Sequence, residues 1–117
     1  MAAQGAEKYD PARSRVSGET LADFLRSPIS EDLTTVPGIG PAAVKLLKKQ
    51  DIATTHQLIG KFLSFKGKDV SVQKHCDDFW DFLNETGIKA HRSGVVQSVA
   101  ERVNILIPGT YTEDEDY

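Results

Sequence analysis

Val36-Pro37-Gly38-Ile39-Gly40-Pro41, followed at once by Ala42-Ala43-Val44-Lys45-Leu46-Leu47-Lys48-Lys49, is the stretch that decides the fold of this chain. Gly38 and Gly40 flank one apolar residue. Glycine adopts backbone angles closed to other residues and leaves no side chain between the main-chain N–H groups and an approaching ligand. Pro41 suits the first position of a helix, where its missing N–H costs nothing. The neighbouring amides and the positive end of the helix dipole then point outward together, which makes an anion the natural ligand. Ile39 reads as a plug into the core more than as a contact, while its backbone and that of Ala42 belong to the anion cradle. Beyond the turn, Ala43, Val44 and Leu47 share one side of the helix, and Lys45, Lys48 and Lys49 bring three positive charges to another. With Leu33 and Val36-Pro37 in front, the pattern is that of a helix-hairpin-helix holding a nucleic-acid phosphate. The competing interpretation is a tight turn used only for packing or protein contacts.

Composition bounds the rest. A chain of 117 residues makes one domain with a modest core. The single cysteine, Cys76, excludes an internal disulfide, and three scattered histidines give no zinc-ligand spacing, so neither metal nor cofactor is expected. No apolar run reaches membrane-spanning length and no signal-peptide pattern opens the chain, which reads as soluble and intracellular, without membrane insertion. The formal net charge of −3 argues against a nucleic-acid partner until its distribution is read. Glu113, Asp114, Glu115 and Asp116 sit in an acidic tail over 110–117, whereas 30–109 holds ten Lys or Arg against nine Asp or Glu. Residues 1–16 read as a disordered leader and 17–109 as the helix-hairpin-helix DNA-binding domain.

Along that domain, Ser17 opens a short helix carrying Leu21, Phe24 and Leu25, and Pro28 follows it. Thr54 and Gln57 form a capping-box pattern that opens a helix through about Lys66. Its apolar arc of Leu58, Ile59, Phe62, Leu63 and Phe65 exceeds one core face, with Gly60 on the thin side. That surplus points to a self-association surface. A long helix then runs to Thr86 with Gly87 as its left-handed stop. Val72, Cys76, Phe79, Trp80 and Leu83 share its apolar face, and Asp77, Asp78, Asp81 and Glu85 its acidic one. His56 and His75 read as surface residues. Lys89-Ala90-His91-Arg92 resembles a degraded second hairpin with a second phosphate contact, leading into a helix over about 92–106. The valines near its end make a strand over 103–107 a rival.

From about Asp23 to Leu106 the chain resembles the barrier-to-autointegration factor family. Asp23-Phe24-Leu25 is similar to that family's first-helix Asp-Phe-Val, Gly38-Ile39-Gly40 to its hairpin, and Leu58-Ile59-Gly60-Lys61-Phe62-Leu63 to its Val-Leu-Gly-Gln-Phe-Leu helix. Trp80-Asp81-Phe82-Leu83 stands where the family has Arg-Glu-Trp-Leu, and Ala90-His91-Arg92-Ser93 where it has Ala-Lys-Gln-Ser. The resemblance implies an all-α, compact five-helix SAM-like domain and a homodimer that binds and bridges double-stranded DNA without reading bases. It implies a setting in nucleus and cytoplasm, on chromatin, with a LEM-domain-type protein of the nuclear envelope as partner. Gly38, Gly40, Lys45, Ala90 and His91 inherit DNA contacts from it, and Gly60 a dimer contact. The chain departs from the family in its longer leader, in Gly18-Glu19-Thr20 replacing a basic helix start, in Gly94 replacing an arginine, and in its acidic tail. The full expectation is a DNA site of Gly38, Ile39, Gly40, Ala42, Lys45, Lys48, Lys49, Lys89, Ala90, His91 and Arg92, with Leu58, Ile59, Gly60, Phe62 and Leu63 at a dimer interface. No catalytic residue is expected. The alternative is a helix-hairpin-helix protein-interaction scaffold without DNA binding.

Overall fold

Local capping signals set where the helices begin and end. In a computed structural model of the chain, which describes residues 8–112, five α-helices carry the fold and no strand occurs among the described residues. Helix α1 spans Gly18–Arg26, α2 Pro41–Lys48, α3 Thr55–Ser64, α4 Val72–Thr86 and α5 Arg92–Leu106. Single 3₁₀ turns at Pro11–Arg13 and Leu33–Thr35 precede α1 and α2. The capping box closes in both directions: Thr54 Oγ1 accepts from the Gln57 amide at 3.1 Å and Gln57 Oε1 from the Thr54 amide at 3.2 Å. Gly87, at φ +108°, stops α4 as expected. The valine-rich run continues as helix to Leu106, so the strand over 103–107 does not form.

The valines follow from the position of α5 at the centre of the molecule. It packs against α4, α1, α3 and the 3₁₀ turn at Pro11–Arg13, and its buried residues lie all around the helix. Ser93, Gly94, Ser98 and Ala100 are small enough for neighbouring segments to come close, and Val95, Val96, Val99 and Val103 fill the remaining directions. A helix covered on every side needs no polar stripe. Around it the core gathers Leu33, Val36 and Leu47 from the first half, Leu58 and Phe62 from α3, and Phe79 and Leu83 from α4.

Three expectations are corrected by this packing. The wide apolar arc of α3 is consumed inside the protomer: Leu58 and Phe62 are fully buried and Ile59 is 8 % exposed. Phe62 meets Phe79 edge-on at 5.2 Å and stacks on His75 at 4.1 Å. Of the five residues assigned to a dimer contact, only half-buried Leu63 and exposed Gly60 reach the surface. His75 is no surface residue either. It is completely buried, with Nε2 2.8 Å from the Phe62 carbonyl, and burial above all lowers its pKa, with Lys66 adding to the effect. A hydrogen bond to a carbonyl makes Nε2 the protonated nitrogen of a neutral ring.

The third correction concerns the chain ends. Residues 8–16 are not a structureless leader: Tyr9 is 3 % exposed, its hydroxyl 2.7 Å from that of Tyr111, and its amide donates to Asp77 Oδ1 at 3.1 Å. Val16 lies over α5 so closely that a Cβ on Gly94 would stand 2.9 Å from it. One buried aromatic anchor and a glycine landing place suffice to hold a polar segment whose sequence shows no periodicity. At the other end Thr110 and Tyr111 are buried, so the domain runs past residue 109. The remainder of the leader and the acidic residues Glu113–Asp116 lie outside the described residues.

Candidate nucleic-acid interface

The turn before α2 is pinned from below. Val36 is completely buried and Ile39 is 5 % exposed, so Ile39 is the core plug expected of it. The Ile39 amide donates to the Val36 carbonyl at 3.0 Å and is therefore used by the turn, which removes Ile39 from the anion cradle. The two glycines differ. Gly38 sits at φ +96°, and a Cβ there would meet Val95 Cγ2 at 2.8 Å and His91 Cβ at 3.3 Å. Gly40 has ordinary extended angles, φ −106° and ψ −175°, with open space where a Cβ would project. Gly40 is the N-cap of α2 and makes no side-chain cap, so the first-turn amides at Ala42 and Ala43 face outward uncapped.

The turn before α5 arrives at the same place. His91 is its N-cap, in the left-handed region at φ +64°, and it too makes no side-chain cap. Because Gly38 and His91 are neighbours in space, two uncapped helix starts open side by side. A groove of about 790 Å³ lies on one flank, with Thr34, Thr35, Gly38, Gly40, His91 and Arg15 on its walls. The one carboxylate there, Asp23, is paired with Arg26. On the other flank a hollow of about 290 Å³ gathers Gly40, Ala42, Ala43, Lys89, Ala90 and His91.

Most of the expected site thus comes together, but the lysines of α2 do not. Lys45, Lys48 and Lys49 are exposed and line neither cavity. Lys48 stands seven residues beyond Pro41, roughly 10 Å along the helix. In a last turn a cation also serves the negative end of the helix dipole. Lys89 Nζ is drawn back onto Asn84, bonding its carbonyl at 3.2 Å and Oδ1 at 3.0 Å. Arg92 donates from Nη1 to the Ile88 carbonyl at 3.0 Å and lays its guanidinium 4.2 Å above the Trp80 ring. In exchange the N-terminal segment supplies Arg15, which sequence reasoning missed. Its only sequence signal was the interleaving of Lys8, Arg13 and Arg15 with apolar Tyr9 and Val16.

Cys76 is 1 % exposed, and burial, with the charge of Asp77 beside it, pushes its thiol up to about 12, which keeps it protonated. Among the described residues no three His, Cys, Asp or Glu side chains gather as a metal site, and no helix is long and apolar enough to cross a membrane. Compared with known proteins, the chain matches no family model, no curated protein and no solved structure.

Proposed function

We propose that this protein binds double-stranded DNA without sequence preference, gripping backbone phosphates at the paired starts of α2 and α5, with the turn at Val36–Gly40 acting as a helix-hairpin-helix. The observation that carries the proposal is the proximity of Gly38 to His91, which sets the N-caps of α2 and α5, Gly40 and His91, neither with a side-chain cap, on one groove. Backbone amides and helix dipoles attract phosphate. They leave base identity unread, because base edges are distinguished by side chains in the grooves of the duplex. The ordered resemblance to the barrier-to-autointegration factor family favours the same reading. That resemblance also favours bridging by a homodimer, for which Gly60 supplies a close-approach point: it is exposed, and a Cβ there would have nothing within 4 Å.

The direct test is a binding titration of an arbitrary duplex and its scrambled version. Equal affinities are expected, falling with salt at a log–log slope on the order of −3 to −4 for a handful of phosphates. Strong preference for one sequence refutes it. Failure of the wild-type chain to bind any duplex at low salt favours the protein-interaction scaffold. Sedimentation of wild type and Gly60→Glu tests bridging: a wild-type monomer, or a monomeric variant that still joins two duplexes, removes it.

A further inference from the structure

Beside the groove lies a smaller cavity of about 260 Å³ that neither turn explains. Five cationic side chains line it: Lys8, Arg13 and Arg15 from the N-terminal segment, Lys89 and Arg92 from the start of α5. Among the described residues no carboxylate is on its walls, and Trp80 forms part of the lining. Like charges crowded into one concave space repel, and low-dielectric walls concentrate their field. Three of the five already have partners: Lys8 pairs with Asp81 at 3.4 Å, Lys89 is bonded to Asn84 and Arg92 to the Ile88 carbonyl. Arg13 and Arg15 form no ion pair among the described residues. Yet the chain anchors them here, through the Tyr9–Tyr111 contact below and Val16 on Gly94 above.

From this we infer that the cavity is a second anion site, built by the N-terminal segment against the start of α5, and that it takes a phosphate group. The guanidinium fork matches phosphate oxygens two at a time, which an ammonium does not. Arg92 is held face-on by Trp80 with its Nη1 on the Ile88 carbonyl, so it forms a fixed wall of the cavity and the mobile forks are those of Arg13 and Arg15. The volume equals roughly nine waters at about 30 Å³ each, room for one phosphate and part of its neighbour. The cavity shares Arg15 and His91 with the groove, so a strand lying in the groove passes its next phosphate to the cavity. The site stands independently of the duplex reading, and only the source of its phosphate rests on that reading.

Trp80 is the sole tryptophan and a built-in reporter. The full-length protein is titrated with pyrophosphate, and separately with a short duplex, following Trp80 emission and the amide resonances of Arg92 and Ser93, with chloride at equal ionic strength as the control. The expected result is a saturable response to pyrophosphate in wild type and in Gly40→Glu, weakened at least tenfold in the double variant Arg13→Ala/Arg15→Ala. Both arginines are exposed, so circular dichroism of the double variant should match wild type. A duplex that elicits the same response, with a salt slope shallower by about one in the double variant, identifies the strand as the source. A response to pyrophosphate with none to duplex keeps the site and overturns its duplex source. Duplex binding with Trp80, Arg92 and Ser93 silent toward both duplex and pyrophosphate overturns the cavity and leaves the proposed function standing. A pyrophosphate response no stronger than chloride, or one unchanged in the double variant, overturns it as well.

Discussion

The turns at Val36–Gly40 and Gly87–His91 each deliver a helix start to the same groove, and they use opposite backbone devices to do it. In the first, the left-handed angle falls on Gly38, where a side chain is barred both by φ +96° and by Val95, and the N-cap Gly40 is unconstrained. In the second, the left-handed angle falls on the N-cap itself, and that residue is His91. A non-glycine residue there costs on the order of 1–3 kcal/mol and persists only when its surroundings hold it. One turn therefore separates folding from access, assigning them to different glycines. The other loads both onto a single residue.

The largest effect expected from this contrast is at Gly38. Gly38→Ala should destabilise the domain by about 3 kcal/mol, adding backbone strain to overpacking against Val95, as read by urea unfolding. A loss under about 1 kcal/mol would show that the turn relaxes and that Gly38 is not locked. Gly40→Glu should leave unfolding within about 0.5 kcal/mol of wild type, as for an open surface position, while duplex affinity drops at least tenfold. If the two variants behave alike in both assays, the division of labour between the glycines is wrong.

Smaller effects sharpen the second turn. His91→Gly should raise stability by about 1 kcal/mol by relieving the left-handed angle, and should weaken duplex binding only about twofold to threefold. A destabilised variant would mean that the imidazole contributes more than its backbone costs. A pH effect sets a baseline away from both turns. Burial, with Lys66 nearby, lowers the pKa of His75, against the Phe62 carbonyl and Asp78, which act to raise it. The unfolded chain then takes up a proton that the folded chain refuses. This stability is present above the ordinary histidine value of 6.5 and is lost as pH falls below it. Unfolding free energy should drop by about 1 kcal/mol between pH 7.5 and 5.5, and His75→Leu should flatten that slope.

What could be read in the sequence was what is decided locally. Ser17, Pro41, Thr54 with Gln57, and Gly87 mark helix ends within a few residues of themselves, so the five helices were legible, as was the plug at Ile39. Residues whose role depends on distant partners were not. The α3 arc looked excessive because a single helix cannot announce that Phe79 and His75 of α4 will cover it. His75 looked solvated because its partner is the Phe62 carbonyl, 13 residues away. The site divides in the same way. Gly38, Gly40, Ala42, Ala90 and His91 were visible as turn residues, whereas Arg13 and Arg15 become site residues only through an anchor at the far end of the chain.

That anchor makes the two ends of the molecule answer to one another. Tyr9 and Tyr111, 102 positions apart, share one buried hydroxyl contact, and the arginines of the second anion site are ordered by the segment that Tyr9 holds. Linkage is reciprocal. A phosphate gripped by Arg13 and Arg15 therefore also protects the stretch around Tyr111 from proteolysis. A cut after Gly109 weakens phosphate binding in turn, although no described residue beyond Gly109 lines the cavity.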